Sequence, residues 1–205
     1  MMTPLEFFLR GAGLGLTAAG APGPLQAFLV SESLAGGWRR GLPVILAPLI
    51  SDAPIILVMT FLLDQLPAAI TRGLSVVGGL FVLYLAWGVW RQLREPTAAT
   101  PAPEARVSSL RRAVAMNLLS PGPYLFWGLV NGPLLLVAWR QSAAHATLFL
   151  LGFYGIFLAG MAVMVGVFHQ ARRLGWRVRR GLMFVSMVVL VVFAGILLRD
   201  GLFGA

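Results

Sequence analysis

The residue with the clearest chemical potential in this sequence is a single aspartate inside an apolar stretch. Asp52 has eleven uncharged residues on each side within the run 41–63. At the centre of a membrane-spanning helix an aspartate costs about 2.5–3.5 kcal/mol, so it should face the protein interior and have a partner or a function. Two functions fit, which are holding the ammonium group of a zwitterionic substrate and taking up and releasing a proton. If Asp52 has both functions, substrate and proton compete for one carboxylate, which is a basis for antiport. The alternative is that Asp52 only caps free N–H groups of a half-helix.

A Pro-Gly-Pro motif occurs twice in apolar runs, ninety-nine positions apart. Proline lacks an N–H and its ring displaces the carbonyl four residues earlier, so each motif should break its helix near the bilayer midplane. Lipid offers no replacement hydrogen bonds, and the breaks should therefore face protein or a water-filled cavity. Each half-helix that begins beyond a break carries about half a positive charge at its N-terminus, which suits a carboxylate. The alternative is a pair of independent kinks that let helices pack closely. The motifs are Pro22, Gly23 and Pro24, and Pro121, Gly122 and Pro123.

Polar side chains beside the two motifs complete the predicted site. Gln26 and Asn117 would hydrogen-bond either a substrate or backbone carbonyls freed by the prolines. Tyr124, Phe126 and Trp127 would line the cavity or pack against other helices. The carbonyls expected to lose their helical partners are those of Ala18, Gly20, Asn117 and Leu119. The predicted substrate-binding residues are Pro22, Gly23, Pro24, Gln26, Asp52, Asn117, Pro121, Gly122, Pro123 and Tyr124, with Asp52 also coupling to protons.

The composition that surrounds these residues is that of an integral membrane protein. Of the 205 residues, 59% are hydrophobic and 11% charged, against about 25% charged residues in soluble domains, and the mean hydropathy is +0.86. Six uncharged runs are each long enough to cross a bilayer, which takes about 20 residues. The sequence thus predicts an all-α fold with six transmembrane helices and excludes a large extramembrane domain. The runs, numbered spans 1 to 6, are 11–31, 41–63, 73–90, 113–139, 146–168 and 181–198.

The spans divide into two sets of three. We expect a first repeat over residues 1–93, a cytoplasmic linker rich in Ala, Thr and Pro over 94–109, and a second repeat over 110–205. Because three is odd, the two copies must cross the membrane in opposite directions, which makes an inverted repeat with spans 1 and 4 broken at Pro-Gly-Pro. Twelve of the sixteen arginines fall on one side of the predicted membrane, which puts both termini outside the cytoplasm. Glu32, near the cytoplasmic end of span 1, is expected to be solvated.

Several classes of site and partner are not predicted. The chain has no cysteine, and His145 and His169 fall at the ends of spans, so we expect no metal site, and no sequence motif calls for a cofactor. We attribute the net charge of +9 to the arginines that orient the protein in the bilayer, and not to nucleic-acid binding. Two series of glycines predict close helix contacts, and small-residue helices also permit a homodimer. The glycines are Gly11, Gly15 and Gly20 in span 1 and Gly152, Gly155 and Gly160 in span 5. An intramembrane enzyme and a structural membrane subunit are the alternatives from other functional classes.

Taken in order along the chain, four motifs resemble the LysE-type translocators, also called the lysine exporter or homoserine/threonine exporter family. The resemblance covers essentially the whole chain. It implies a six-helix inner-membrane protein of prokaryotes that exports amino acids or related small solutes, commonly in exchange for protons. Pro22, Gly23, Pro24, Asp52, Asn117 and Pro121 match the family's functional positions. The motifs are Ala21-Pro22-Gly23-Pro24, Gly37-Trp38-Arg39-Arg40-Gly41-Leu42, Asp52, and Asn117-Leu118-Leu119-Ser120-Pro121.

One position departs from the family pattern. Many members carry Asn-Pro-Lys in the fourth helix, where this chain has Ser120, Pro121 and Gly122, and the chain contains no lysine. A substrate carboxylate would therefore bind to backbone N–H groups without a fixed cation. A cation exporter of the same superfamily is a further alternative, although cysteine ligands are absent and the histidines are far apart.

Overall fold

The computed structural model describes residues 2–21, 23–62, 68–94, 102–171 and 175–203. All regular elements within these ranges are helical. Between α7 and α8 lies one π-helical turn, Trp127–Asn131, so residues 121–141 form one continuous helical segment. The helices are α1 (Pro4–Gly20), α2 (Pro24–Gly36), α3 (Trp38–Ile45), α4 (Ala47–Leu62), α5 (Ala68–Arg94), α6 (Ala102–Leu119), α7 (Pro121–Phe126), α8 (Gly132–Gln141), α9 (Ala143–Ala171) and α10 (Trp176–Phe203).

Three helical stretches of the described chain are long and apolar enough to cross a membrane. They are Trp38–Met59, which runs through α3 and α4, Ala143–Ala171 and Arg180–Phe203. Val76–Arg91 in α5 is apolar but shorter. Many large apolar side chains on these helices are exposed, as expected where the solvent is lipid. The described part of the chain is all-helical with several apolar helices, as in an integral membrane protein.

The first helix begins at a capping box. The amide of Glu6 donates to Thr3 Oγ1 at 3.3 Å, and the amide of Thr3 donates to Glu6 Oε2 at 2.7 Å. Pro4 occupies the first helical position, where its missing N–H would have no helical partner anyway. These contacts fix where α1 enters the fold.

Helices α1 and α9 pack with their backbones in direct contact. A Cβ atom built on Gly11 would lie 2.2 Å from the carbonyl oxygen of Phe149, and one on Gly15 would lie 2.3 Å from that of Phe153. From the other side, a Cβ on Gly152 would lie 2.2 Å from the carbonyl oxygen of Phe8. The predicted close contacts at these three glycines are confirmed, and a Cβ on Gly160 would likewise lie 2.7 Å from the Cβ of Ala19. The prediction was wrong for Gly20 and Gly155, where a Cβ would meet nothing within 4 Å.

Helices α5 and α10 form a second pair of long helices, which pack antiparallel and again have glycine at the contact. A Cβ on Gly201 would lie 2.9 Å from the carbonyl oxygen of Arg72, and one on Gly79 would meet the side chain of Leu198 at 2.8 Å. On a different contact, Gly78 lies against the carbonyl oxygen of Leu119, where a Cβ would approach to 2.1 Å. Through Gly78, α5 therefore packs directly on the junction of α6 and α7.

Pro48 and Pro54 lie on either side of Asp52 in the second predicted span, and both are within α4. The interruption of that span lies before them, at Leu46, between α3 and α4. There the amide of Leu46 donates to the carbonyl of Pro43, three residues back, which is the tighter bond of a 3₁₀ turn. Pro48 is then near the start of α4, where a proline is tolerated, and Pro54 lies inside the helix.

The predicted linker is partly helical. Residues 95–101 lie outside the described residues, but α6 begins at Ala102 and includes the rest of the segment expected to be flexible up to Ser109. Alanine, glutamate and arginine are strong helix formers, and a proline in the first turn does not oppose them. The prolines of the segment thus precede or begin a helix that continues into the predicted span 4.

Replacing Gly15 by alanine tests the contact of α1 with α9. The new Cβ would lie 2.3 Å from a backbone oxygen, so one of the helices must shift, and we expect a loss of about 1–3 kcal/mol of stability, measured as a lower thermal unfolding midpoint in detergent. Gly13→Ala is the matched control, since a Cβ there meets nothing within 4 Å. Equal unfolding midpoints for the two variants would contradict the close contact.

Candidate functional site

Asp52 lies in the sixth position of α4 and is 5% exposed. Its Oδ1 accepts a hydrogen bond from Asn117 Nδ2 at 2.9 Å, and its Oδ2 accepts one from the Tyr154 hydroxyl at 3.0 Å. The side chain of Trp127 is a third hydrogen-bond partner, and an indole N–H can only donate. All three donors are neutral, so they satisfy the carboxylate without cancelling its charge.

Ser51 is bound into the same network. Its hydroxyl accepts from Asn117 Nδ2 at 2.7 Å and donates to the carbonyl of Ala47 at 2.9 Å. We call Ser51, Asp52, Asn117, Trp127 and Tyr154 the Asp52 cluster. Its members come from α4, α6, the π turn and α9, so the cluster joins the predicted first repeat to the second.

Aromatic rings hold the two ring donors of the cluster. The ring centroids of Trp127 and Phe153 lie 5.4 Å apart in an edge-to-face arrangement, and those of Trp127 and Tyr154 lie 6.2 Å apart. Phe126 and Phe157 pack on the remaining sides of Phe153. Such contacts fix the orientation of the indole and phenol and exclude water from their bonds to the acid.

At the first Pro-Gly-Pro motif, a side-chain hydrogen bond connects the two helices on either side of the break. α1 ends at Gly20 and α2 begins at Pro24, while Pro22 lies outside the described residues. Gln26 Nε2 donates to the carbonyl of Ala18 at 3.0 Å. Of the two roles predicted for Gln26, this bond is the one to a backbone carbonyl. Gly23 has an extended backbone with φ −162°, which any residue adopts.

The second motif is closed in a similar way. α6 ends at Leu119 and α7 begins at Pro121, and the Tyr124 hydroxyl donates to the carbonyl of Leu118 at 2.9 Å. The Asn117 carbonyl, expected to lose its partner, accepts a bond from the amide of Ser120 at 3.4 Å. Pro121, Gly122 and Pro123 form the first turn of α7.

Three members of the Asp52 cluster, Ser51, Trp127 and Tyr154, were not predicted to bind substrate. For Tyr154 the available signal is a hydroxyl inside an apolar span, which indicates that it faces the interior. Trp127 was given only as a candidate lining residue. Asn131 is fully buried, and both its side-chain nitrogen and oxygen have no hydrogen-bond partner among the described residues. Leaving a buried polar group unpaired costs about 1–3 kcal/mol.

A second buried acid lies elsewhere in the fold. Glu32 was expected to be solvated, but it is 3% exposed and accepts a hydrogen bond from the hydroxyl of Ser109 in α6. The positive charges of Arg40 and Arg112 act on it favourably. The expectation was wrong because the first turns of α6, which the sequence presented as linker, cover this end of α2. Together these residues tie α2, α3 and α6.

No group of three or more His, Cys, Asp or Glu side chains that could hold a metal ion occurs in the part of the chain that the structure describes. Asp52 is bound by neutral side chains, whereas Glu32 has the positive charges of Arg40 and Arg112 acting on it besides its bond from Ser109.

Comparison with known families decides the class. The family model of the LysE type translocators matches residues 16–201. The chain belongs to the LysE type translocator family. No curated protein and no solved structure matches it. As a LysE type translocator it is a transporter of amino acids or similar solutes, and the helices long and apolar enough to span a membrane agree with that class.

Replacing Tyr154 by phenylalanine tests the bond to the acid. The substitution removes one donor from the Asp52 carboxylate, and since hydrogen bonds to charged groups contribute about 1.5–3 kcal/mol, we expect stability to fall by that amount. The loss should be smaller when Asp52→Asn is already present, which a double-mutant cycle of thermal unfolding measures. Tyr84→Phe, on an exposed side chain of α5, is the control, and an equal loss in both backgrounds would argue against the contact.

Two neighbouring serines test the second buried acid. Ser109→Ala removes the donor to Glu32 and should lower the thermal unfolding midpoint by the equivalent of about 1.5–3 kcal/mol. Ser108→Ala, next to it on α6 and only half-buried, should change the midpoint little. A Ser109→Ala protein as stable as the Ser108→Ala protein would mean that the Glu32 contact adds nothing.

Proposed function

We propose that this LysE type translocator is a secondary active transporter that exports amino acids or related small solutes in exchange for protons. Its substrate site lies at the Asp52 cluster, near the two Pro-Gly-Pro motifs. Export, and amino acids as the substrate class, rest on the family. The site and the coupling rest on the arrangement around Asp52.

The observation that carries the proposal is a buried carboxylate with neutral partners. Asn117, Trp127 and Tyr154 solvate Asp52 without neutralising it. The segments that contribute the cluster, 41–71, 113–139 and 141–171, contain no lysine or arginine. The negative charge is therefore available to a proton or to the ammonium group of a solute, and the two would compete for it.

The packing of the helices supports the inverted repeat. In this scheme α1 and α2 are span 1, α3 and α4 span 2, α5 span 3, α6 to α8 span 4, α9 span 5 and α10 span 6. Span 1 packs on span 5 and span 4 on span 2, while spans 3 and 6 pack on each other. A two-fold axis in the membrane plane would relate span 1 to span 4, span 2 to span 5 and span 3 to span 6. It would convert the contact of spans 1 and 5 into that of spans 4 and 2, and the contact of spans 3 and 6 into itself.

Access to the acid requires a change of conformation. Asp52 is 5% exposed, and its bonds cross from the first repeat to the second. A solute can reach it only when contacts between the repeats open on one side or the other. Such opening around a fixed midplane site is alternating access. At the breaks, the two halves of a helix can move relative to each other during this opening.

We also propose a prokaryotic inner-membrane location with both termini outside the cytoplasm. Arg91 and Arg94 lie at the end of α5, where their guanidinium groups stack on Trp87 at 5.1 Å and Trp90 at 4.2 Å. Arginine paired with tryptophan is typical of a membrane interface, and the excess of arginine at this level marks the cytoplasmic side. A homodimer stays a prediction.

Uptake by proteoliposomes tests the function. With an inside-acid pH gradient, vesicles containing the protein should take up at least one standard amino acid saturably, and a dye inside them should report proton exit. Asp52→Asn should reduce both to the level of empty vesicles, because asparagine has nearly the same shape and keeps one acceptor oxygen for these donors but carries no charge.

The matched control for that variant is Glu6→Gln, the same change of carboxylate to amide on an exposed residue, where glutamine still fits the capping box. It should transport like wild type. Exchange that survives in Asp52→Asn without proton movement would restrict Asp52 to coupling. Wild-type vesicles with no saturable uptake, or an Asp52→Asn protein with normal pH-driven uptake, would refute the transport proposal or the role of Asp52 respectively.

A further inference from the structure

Asn131 is a buried amide without a protein partner. Its side chain has no exposed surface, and neither its nitrogen nor its oxygen is hydrogen-bonded within the described chain. Ser120 and His169 each leave one buried atom unpaired, whereas Asn131 leaves both a donor and an acceptor. Unpaired buried polar groups are few in native proteins, and they occur where strain is stored or where the group binds a water, an ion or another ligand.

The backbone around Asn131 is locally widened. The amide of Gly132 donates to the carbonyl of Trp127, five residues earlier, which is the bond of a π turn. A Cβ on Gly132 would lie 2.4 Å from that same oxygen, so the turn needs glycine at this point. Short π segments inside α-helices occur frequently at functional sites.

The π turn brings Asn131 to the side of the helix that carries Trp127. Residues three and four apart share a helix face, and both side chains are buried. Trp127 is hydrogen-bonded to Asp52, and the π turn packs against α4, which carries that acid. The amide of Asn131 is thus about one turn along the helix from the indole that contacts the carboxylate.

The chemistry available at this point complements the acid. A solute that presents its ammonium group to Asp52 has a second polar group to satisfy, and the segments forming the cluster hold no lysine or arginine for it. An amide nitrogen is a neutral donor to a carboxylate oxygen, and an amide oxygen accepts from an N–H.

We propose that Asn131 is a specificity-determining residue that binds the carboxylate of the transported solute, with Nδ2 as the donor. The inference rests on the proposed function and deepens it. The substrate class is then a molecule with an ammonium group and a carboxylate close together, and an amine that lacks the carboxylate is the poorer substrate.

The test separates binding from packing through Asn131→Leu, which is close in size and has no polar atoms. If the amide serves a solute, the variant unfolds at the wild-type temperature or above it, because two unpaired groups are gone. Its KM rises about tenfold or more for the amino acid that wild-type vesicles take up best. The KM for the corresponding primary amine, isoamylamine in the case of leucine, changes less than about twofold. Ser186→Ala, a buried polar residue of α10, should leave both KM values as they are.

A second variant tests the same side chain through its charge. Asn131→Asp keeps the shape and replaces the donor by a negative charge, so the preference for amine over amino acid should increase through repulsion of the carboxylate. A lower unfolding temperature for Asn131→Leu, equal effects of that variant on amino acid and amine, or an unchanged preference in Asn131→Asp would each overturn the inference. Wild-type vesicles that take up no amino acid would overturn both this inference and the proposed function, whereas normal wild-type uptake with any of those three results overturns the inference alone.

Discussion

Every polar group inside a bilayer must find its partner within the protein, because hydrocarbon offers none. The Asp52 cluster meets this requirement for a carboxylate with three neutral donors, from α6, the π turn and α9. The same requirement explains why Gln26 and Tyr124 reach back across the interrupted helices to backbone carbonyls. It also makes Asn131 conspicuous, since among the described residues its amide alone leaves both a buried donor and a buried acceptor without a partner.

A neutral shell around an acid has a different effect from a salt bridge. An arginine beside Asp52 would hold the carboxylate ionised and occupied, so binding of any other cation would need that pair to be broken first. Hydrogen bonds from an amide, an indole and a phenol keep the carboxylate in place while leaving its charge open to exchange. The contrast with Glu32 is instructive, because that acid has Arg40 and Arg112 acting on it and ties three helices together.

Several features were predictable because they follow from residue type and the bilayer alone. The interior position of Asp52 follows from its cost in lipid, the helix boundaries beside Pro24 and Pro121 from the missing N–H, and the contacts at Gly11 and Gly15 from the absence of a side chain. The bond from Asn117 to Asp52 depends on the register in which α6 packs on α4. The position of Asn117 beside a proline motif indicated a polar role but not this partner. Tyr154 and Asn131 depend on the rotation of helices about their axes, which a uniformly apolar sequence does not fix. Glu32 was misjudged for a related reason, since its burial comes from a helix that a proline-rich composition concealed.

The contact between α1 and α9 also has a consequence for how this protein is made. The glycine face of α1 fits a helix that is synthesised more than a hundred residues later. Until α9 has left the ribosome and entered the membrane, that face has no partner of its own and can meet only lipid or the insertion machinery. The first helix therefore gains its packing partner only after more than a hundred further residues have been synthesised, and a chain truncated before α9 would leave α1 without that partner.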